Sequence, residues 1–242
     1  FTGAGHATDR ATILGLAGFL PDTYDEAQAE AALATINADK EVINDGLPSL
    51  HFDPAADLIF DYDTRLTGHA NGMRLQATDA QGDIILSQVF YSIGGGFVLT
   101  EEELASGAAT EEGAPVPYPF KSANEMMEMS AQSGKTIAQM KEANELSRRP
   151  RADLEAGLTR LWDVMNDCID RGLARDGILP GGLSVKRRAK NIHEKLLAER
   201  GMNLNAPHTI NDWMSVYAMA VNEENAAGGQ VVTAPTNGAA GV

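Results

Sequence analysis

The stretch that decides the fold class runs from Met73 to Ile93 and reads MRLQATDAQGDIILSQVFYSI. Alternate positions from Met73 to Ala77 are apolar, as a strand with one buried face requires. The second run, Ile85 to Ile93, is rich in β-branched and aromatic residues, which favour strands. Ala80 to Asp83 lies between the two runs and contains the glycine typical of a hairpin turn. The pattern predicts two antiparallel strands.

Helical periodicity flanks this hairpin on both sides. Before it, Thr8-Asp9 marks a capped helix start, and the Ala- and Glu-rich stretch Asp25 to Lys40 has the apolar spacing of a second helix. After it, strand signals largely disappear. Four later segments have helical spacing: Ser122 to Met129, Thr136 to Leu146, Ala152 to Leu173 and Asn211 to Gly228. The sequence predicts an α+β fold, with an N-terminal α+β domain built on an antiparallel sheet and a mostly helical domain after it.

A change of composition near residue 110 predicts the domain boundary. Ser106 to Pro115 is small, polar and interrupted by glycine and proline, as linkers are. At about 150 residues per domain, a chain of 242 residues has room for two modest domains. We predict one domain at residues 1–114 and a second at 115–242. The chain starts at Phe1 without an initiator methionine and stops just after a predicted turn, so we expect it to be a fragment.

Net charge and cysteine content limit which classes of partner and which cellular compartment suit this chain. The chain has 34 acidic and 19 basic residues, a formal net charge of −15, which repels nucleic acid and anionic membranes. The sequence contains no run of the roughly 18 apolar residues that a membrane helix needs. Its single cysteine, Cys168, excludes an internal disulfide framework and fits the reducing cytoplasm. One thiol also cannot supply the three or four thiolates of an iron–sulfur cluster.

Three glycine-rich segments could carry chemistry. Thr2 to Asp9 brings His6 to a helix N-terminus, where an anion is favoured and a neutral imidazole can act as a base. Taken alone, a histidine at a helix start is more often a cap or a core residue. Ser92 to Phe97 contains three consecutive glycines, typical of a bulge or a close backbone approach. Asn222 to Gly241 places polar side chains around two turns, which suits a small zwitterionic ligand or an ordinary helix C-cap.

Other polar residues give weaker signals. The basic run Lys186-Arg187-Arg188 with Lys190 is most simply a solvated helix face, with an anion site as the alternative. Cys168 lies on the apolar stripe of a predicted helix, so we expect it in the core. The remaining histidines show no metal-ligand spacing: His51, His69, His193 and His208. From the residues alone we predict two domains with a candidate site for a small anion or an amino acid.

Five stretches of the chain resemble the bacterial iron–sulfur L-serine dehydratase family and occur in family order. The longest is NEENAAGGQVVTAPTNGAAG (Asn222–Gly241). The others are FTGAGHATDRA (Phe1–Ala11), NGMRL (Asn71–Leu75), FYSIGGGF (Phe90–Phe97) and PYPFKSA (Pro117–Ala123). The resemblance implies that residues 1–114 are the regulatory β domain, similar to allosteric substrate-binding domains and truncated at its N-terminus. It assigns residues 115–242 to the first part of the helical catalytic α domain.

The resemblance also implies a reaction, in which L-serine becomes pyruvate and ammonia without pyridoxal phosphate. In that family a [4Fe-4S] cluster acts as a Lewis acid on the substrate hydroxyl while a base removes the α-proton. His6 matches the family histidine that serves as base or substrate-positioning group. The substrate-binding positions carried over are Thr8, Thr236, Asn237 and Gly238. The cluster cysteines are expected beyond Val242, so no metal ligand is expected within this chain, which should be inactive alone.

Two alternatives stay open at this stage. The β domain of such a protein resembles a ligand sensor, so the chain could be a non-catalytic amino-acid-sensing module. A pyridoxal-phosphate dehydratase needs a Schiff-base lysine, and neither Lys135 nor Lys186 lies in a specific context. The resemblance further implies a cytoplasmic lyase of amino-acid degradation with L-serine as its ligand, and homodimers are the commonest assembly.

Overall fold

The computed structural model describes residues 7–94, 97–107, 115–180, 183–200 and 208–232. The N-terminal elements are helix α1 (Thr8–Leu16), a 3-10 helix (Pro21–Thr23), α2 (Glu26–Asp39), strands β1 (Glu41–Val42) and β2 (Leu50–His51), α3 (Pro54–Asp57), β3 (Gly72–Thr78), β4 (Ile84–Gly94) and β5 (Phe97–Thr100). The later ones are α4 (Glu101–Ser106), α5 (Ala123–Ser133), α6 (Ile137–Leu146), α7 (Arg151–Ala174), α8 (Ala189–Glu199) and α9 (Thr209–Ala226). The predicted α+β class is confirmed.

The predicted hairpin is present. Strands β3 and β4 are antiparallel, with Gly72 opposite Tyr91 and Ala77 opposite Leu86, and β5 pairs with the other edge of β4. In the turn, one Asp79 carboxylate oxygen accepts from the backbone N–H groups of Gln81 and Asp83, both at 2.9 Å. This is the local hydrogen bonding by which aspartate favours turns.

Tyr91 anchors the sheet. Its side chain is fully buried, and its hydroxyl accepts from the Gly68 N–H and donates to a Glu101 carboxylate oxygen, both at 3.3 Å. Gly72 lies directly against the ring, because a Cβ there would be 3.0 Å from Tyr91 Cε1 and 2.6 Å from Leu66 Cδ1. The glycine of the NGMRL segment therefore makes room for the aromatic ring.

The first two helices pack through a small apolar core of Ile13, Ile36 and Val42. Helix α2 begins as predicted, with the Asp25 carboxylate accepting from the Gln28 N–H at 2.8 Å. The predicted side-chain cap at Thr8-Asp9 was wrong. The N-cap of α1 is Ala7, which has a left-handed backbone with φ 53° and no side chain able to cap, and Thr8 is the first helical residue.

Helices α7, α8 and α9 share a second core. Ala189, Leu196, Val216 and Ala220 are buried together. Gly172 of α7 faces α9 so closely that a Cβ would lie 2.4 Å from the Ala220 carbonyl oxygen. A glycine at this position lets the two helix backbones approach in a way that no other residue permits.

The described residues divide into two compact units. The first is formed by the residues up to Glu101 and those from Val164 onward, and the second is Glu102–Asp163. In the second unit Met140 is fully buried, and the Asn144 amide pairs with both the N–H and the carbonyl of Tyr118 at 2.8 Å. This division differs from the boundary near residue 114, and the domains 1–114 and 115–242 stay a prediction.

Helix α7 has the apolar stripe that its sequence predicts, but burial is confined to its C-terminal end. Cys168 is 2% exposed and is a core residue, as expected. Leu158, Leu161 and Trp162 are 57%, 47% and 65% exposed. In the ranges that the structure describes, no helix has the length and apolar character of a membrane span.

Gly172→Ala is expected to destabilise the protein, because the new methyl group collides with the α9 backbone. Overpacking of this kind costs about 1–3 kcal/mol. The measurement is denaturant unfolding of the natural protein that carries this chain.

Gly157→Ala is the matched control, since Gly157 lies in the same helix with nothing within 4 Å of the added Cβ. It should stabilise by up to about 1 kcal/mol through helix propensity. Equal effects of the two substitutions would contradict the close approach at Gly172.

Candidate functional site

Of the predicted site residues, Thr8 lies in the described part of the chain. It is exposed at the start of α1, and its carbonyl oxygen accepts from the Thr12 hydroxyl at 2.7 Å. His6, Thr236, Asn237 and Gly238 lie outside the described residues, and their roles stay predictions. The structure does describe the two flanks of this site, helix α1 and the turn Gly228–Gln230.

The Glu224 carboxylate, fully buried in α9, is the centre of a charged cluster beside that turn. It accepts from three guanidinium groups: Arg187 Nη1 at 2.8 Å, Arg171 Nε at 3.2 Å and Arg175 Nη1 at 3.4 Å. An isolated buried carboxylate would be strongly unfavourable, and several charged donors offset its desolvation. We call Glu224, Arg171, Arg175 and Arg187 the Glu224 cluster.

Each arginine reaches Glu224 for a local reason. Arg171 lies in the last turn of α7, and Arg175 directly follows the helix with its N–H donating to the Arg171 carbonyl at 3.0 Å, so the two residues lie on the same side of the helix end. Arg187 precedes α8 and is held in an irregular segment where its N–H donates to the Gly177 carbonyl at 2.9 Å. Its side chain is 6% exposed, against 30% for Arg171 and 38% for Arg175. Burial therefore makes Arg187 the partner most dependent on the carboxylate.

The neighbouring Glu223 points elsewhere and caps α8. Its two carboxylate oxygens accept from the N–H groups of Arg188 at 2.7 Å and Ala189 at 3.4 Å. These are amides at the start of α8, whose own N-cap residue offers no side-chain hydrogen bond. A carboxylate is the favoured group there because it satisfies free amides and opposes the helix dipole. Consecutive glutamates thus perform two different tasks.

The turn after α9 requires its glycines. Gly228 has φ 79°, a left-handed conformation that glycine adopts without strain. At Gly229, a Cβ would lie 2.8 Å from a Glu224 carboxylate oxygen. The Gly229 N–H donates to the Glu224 carbonyl at 2.9 Å, and Arg171 Nη2 donates to the Gln230 carbonyl at 2.9 Å. The Glu224 cluster therefore holds the turn as well as the helices.

An open cavity of about 510 Å³ lies beside this turn, lined by Tyr24, Asp25, Glu26, Ala27, Glu30, Arg171, Arg175 and Gln230. Its wall combines guanidinium and carboxylate groups, the two partners that a zwitterionic amino acid needs. Those groups are already paired with each other, since Arg175 Nη2 donates to Glu26 at 2.7 Å. That hydrogen bond lowers the pKa of Glu26, against the opposing effect of partial burial.

The chain's residues do not suit an iron–sulfur cluster. Burial raises the pKa of the Cys168 thiol, the chain's single cysteine, so it stays protonated and a poor ligand. In the ranges 7–94, 97–107, 115–180, 183–200 and 208–232, no group of three or more His, Cys, Asp or Glu side chains is placed to hold a metal ion. A cluster needs three or four thiolates, which one cysteine cannot provide.

The prediction that Lys186-Arg187-Arg188 is a solvated helix face was wrong in two respects. The run precedes α8, and Arg187 is buried against the Glu224 carboxylate, whereas Lys186 and Arg188 are exposed. Arg171, Arg175, Glu26 and Tyr24 were not singled out from the sequence. One usable signal was present, because two consecutive glutamates, Glu223 and Glu224, lie within a predicted helix and Glu224 precedes the Gly228-Gly229 break by one helical turn.

Comparison with known proteins places the chain. The family model of the serine dehydratase alpha chain matches residues 121–242, which are half of the present chain. The chain belongs to the serine dehydratase family. The serine dehydratase beta chain family matches residues 1–103. The family resemblance of the five sequence stretches is therefore confirmed.

Curated relatives align along the whole chain. They include L-serine dehydratase TdcG of Escherichia coli, 43% identical over 243 residues, and the L-serine dehydratases of Streptomyces coelicolor, 41% over 241, and Haemophilus influenzae, 39% over 249. Each alignment covers 100% of this chain and 52% of the relative. The chain thus spans about half the length of the curated relatives it matches.

Glu224→Gln is expected to lower the free energy of unfolding by about 3 kcal/mol, because it leaves the buried Arg187 charge short of its counter-charge. The measurement is denaturant unfolding of the natural protein. The matched control is Glu142→Gln, which weakens the pair of Glu142 with Arg151, side chains 44% and 56% exposed. Exposed pairs contribute little, so the control should leave stability unchanged. Equal losses in both variants would contradict the central role of Glu224.

Glu26→Gln is expected to change the acid dependence of stability. A lowered folded-state pKa means that ionised Glu26 stabilises the fold above its ordinary pKa of 4.5, and that this contribution is lost as pH falls through the lower folded-state value. The variant should therefore melt below wild type at pH 7, with a gap that narrows towards pH 3. The gap should be small, because solvent screens this half-exposed pair.

Melting temperatures measured between pH 7 and pH 3 check this expectation, with the exposed α8 residue changed in Glu194→Gln as control. A gap for Glu26→Gln that stays constant over this range would show that the ion pair is not its origin.

Proposed function

We propose that this chain supplies the regulatory domain, residues 1–114, and the first part of the catalytic domain, residues 115–242, of an L-serine dehydratase that converts L-serine to pyruvate and ammonia. The names of relatives aligned along the whole chain support this function. The geometric observation that carries it is the meeting of two motif segments. Tyr24 binds both Arg10, from the segment Phe1–Ala11, and Gly228, from the segment Asn222–Gly241.

The reaction sets the tasks of the site residues. L-Serine loses its α-proton and its β-hydroxyl, which together leave as water. The resulting aminoacrylate then takes up water and releases ammonia, leaving pyruvate. We assign two possible tasks to His6: it removes the α-proton as a base, or it positions the substrate for that step. We propose that the carboxylate and ammonium groups of the substrate are bound by Thr8, Thr236, Asn237 and Gly238.

The parent enzyme is proposed to contain a [4Fe-4S] cluster, as the family does. Because this chain has one cysteine, and that cysteine is buried, the thiolate ligands must come from other parts of the parent. The chain alone is therefore proposed to be inactive. A cytoplasmic location and a homodimeric assembly complete the proposal.

His6→Ala is expected to lower pyruvate release from L-serine by about 100- to 10,000-fold, the usual contribution of a general acid or base. The assay uses the full-length natural protein after anaerobic reconstitution with iron and sulfide. His51→Ala is the control, because His51 is an exposed residue of the short strand β2 and has no assigned role. Equal activity in the two variants would remove His6 from the reaction.

The same assay separates the proposed function from its alternative. Pyruvate that appears only after reconstitution supports the dehydratase. No pyruvate from well-reconstituted protein, together with retained binding of L-serine, would leave the chain as part of a non-catalytic amino-acid-sensing module.

A further inference from the structure

One hydroxyl group joins two distant parts of the chain. Tyr24 Oη accepts from Arg10 Nη2 at 2.8 Å and donates to the Gly228 carbonyl at 3.3 Å. Arg10 lies in α1, whereas Gly228 follows α9, 204 residues after Tyr24. Tyr24 is half-buried in the extended segment between the 3-10 helix and α2.

Arg10 and Gly228 are also close to each other. A Cβ at Gly228 would lie 3.9 Å from Arg10 Nε, so a side chain there would fill the space beside the guanidinium. Arg10 is oriented in turn by an ion pair with Glu30 of α2. The three residues Arg10, Tyr24 and Gly228 therefore form a compact contact, and the ion pair with Glu30 fixes the position of Arg10.

Each residue of the turn Gly228–Gln230 has at least one backbone group held by a hydrogen bond, and the Gly228 N–H also donates to the Asn225 carbonyl at 3.2 Å. Tyr24 holds the Gly228 carbonyl, the Glu224 carbonyl holds the Gly229 N–H, and Arg171 holds the Gln230 carbonyl. The last two contacts come from α9 and α7, which pack with each other. Tyr24 is the contact that ties the turn to α1 and α2.

We propose that Tyr24 is a positioning residue whose hydroxyl sets the spacing between α1 and the turn Gly228–Gln230. This inference rests on the proposed function. Arg10 follows the predicted base His6 by four residues, and Gln230 precedes the predicted substrate-binding residue Thr236 by six. Both segments are proposed to act on one substrate molecule, so a change in the spacing between α1 and the turn should change turnover.

A positioning role and a purely structural role of the Tyr24 hydroxyl predict different effects on turnover and on melting temperature. Loss of the hydroxyl removes two half-buried hydrogen bonds, the one from Arg10 Nη2 at 2.8 Å and the one to the Gly228 carbonyl at 3.3 Å. Water can take the place of each in a half-exposed position, so the melting temperature should change little. Catalysis is far more sensitive to geometry, since a misplacement of about 1 Å can lower a rate about 100-fold. Removal of the hydroxyl should thus act on turnover and leave stability almost unchanged.

The test is Tyr24→Phe in the reconstituted full-length protein, with Tyr62→Phe as control because Tyr62 is 76% exposed. We expect kcat to fall about 10- to 100-fold, with a smaller change in KM and an unchanged melting temperature and iron content. The control should match wild type. An unchanged kcat, or a loss of activity in step with a lower melting temperature, would overturn the proposal.

A second variant tests the bridge itself. If Arg10 acts on the turn through Tyr24, Arg10→Met should lower kcat in wild type and have much less effect in the Tyr24→Phe background. Additive effects of the two substitutions would show that the hydroxyl does not connect Arg10 with Gly228.

Amide hydrogen exchange tests the positioning without any activity. Tyr24→Phe should speed exchange in the peptide covering residues 228–232 about three- to tenfold, with no change in the Tyr62→Phe control. Unchanged exchange would overturn the role of Tyr24 in holding the turn. If wild type produces no pyruvate, the proposed function fails, and this measurement alone still decides whether Tyr24 holds the turn.

Discussion

The buried Glu224 carboxylate is the constraint on which the helical part of the first compact unit depends. A carboxylate removed from water needs several charged partners. Arg171 and Arg175 supply them from the C-terminal end of α7 and the residue after it, and Arg187 from the segment before α8. Their common target fixes where these elements meet α9. Two positions without side chains, Gly172 and Gly229, provide the space for this approach.

The connection between the first two helices and α7 to α9 is polar. It includes the Tyr24–Gly228 hydrogen bond and the Glu26–Arg175 ion pair. Groups of this kind add little net stability when they are half-exposed, but they require a defined distance and direction. Such contacts fix the orientation of the two regions but add little to their stability. The stability of each region comes from its own apolar core.

The sequence predicted features whose causes are local. The hairpin of β3 and β4 follows from alternation and a five-residue turn, and α7 follows from its periodicity. The burial of Arg187 was not predictable in this way, because it depends on Glu224, 37 residues later. Likewise, periodicity shows that Leu158, Leu161 and Trp162 share a face, but not whether anything covers it. Of the candidate site residues, the structure describes Thr8 and the flanks of the others, so the site itself rests on the family resemblance.

The order of charges along the chain has a consequence for biosynthesis. Arg171 precedes Glu224 by 53 residues and Arg187 by 37, so the ribosome releases the cations well before the anion that neutralises them. The first amides of α8 likewise have no carboxylate acceptor until Glu223 has been synthesised. At 5–20 residues per second, this interval lasts roughly 2–10 s. Translation through α9, and not the synthesis of α7 or α8, is therefore the event that allows this part of the nascent protein to close.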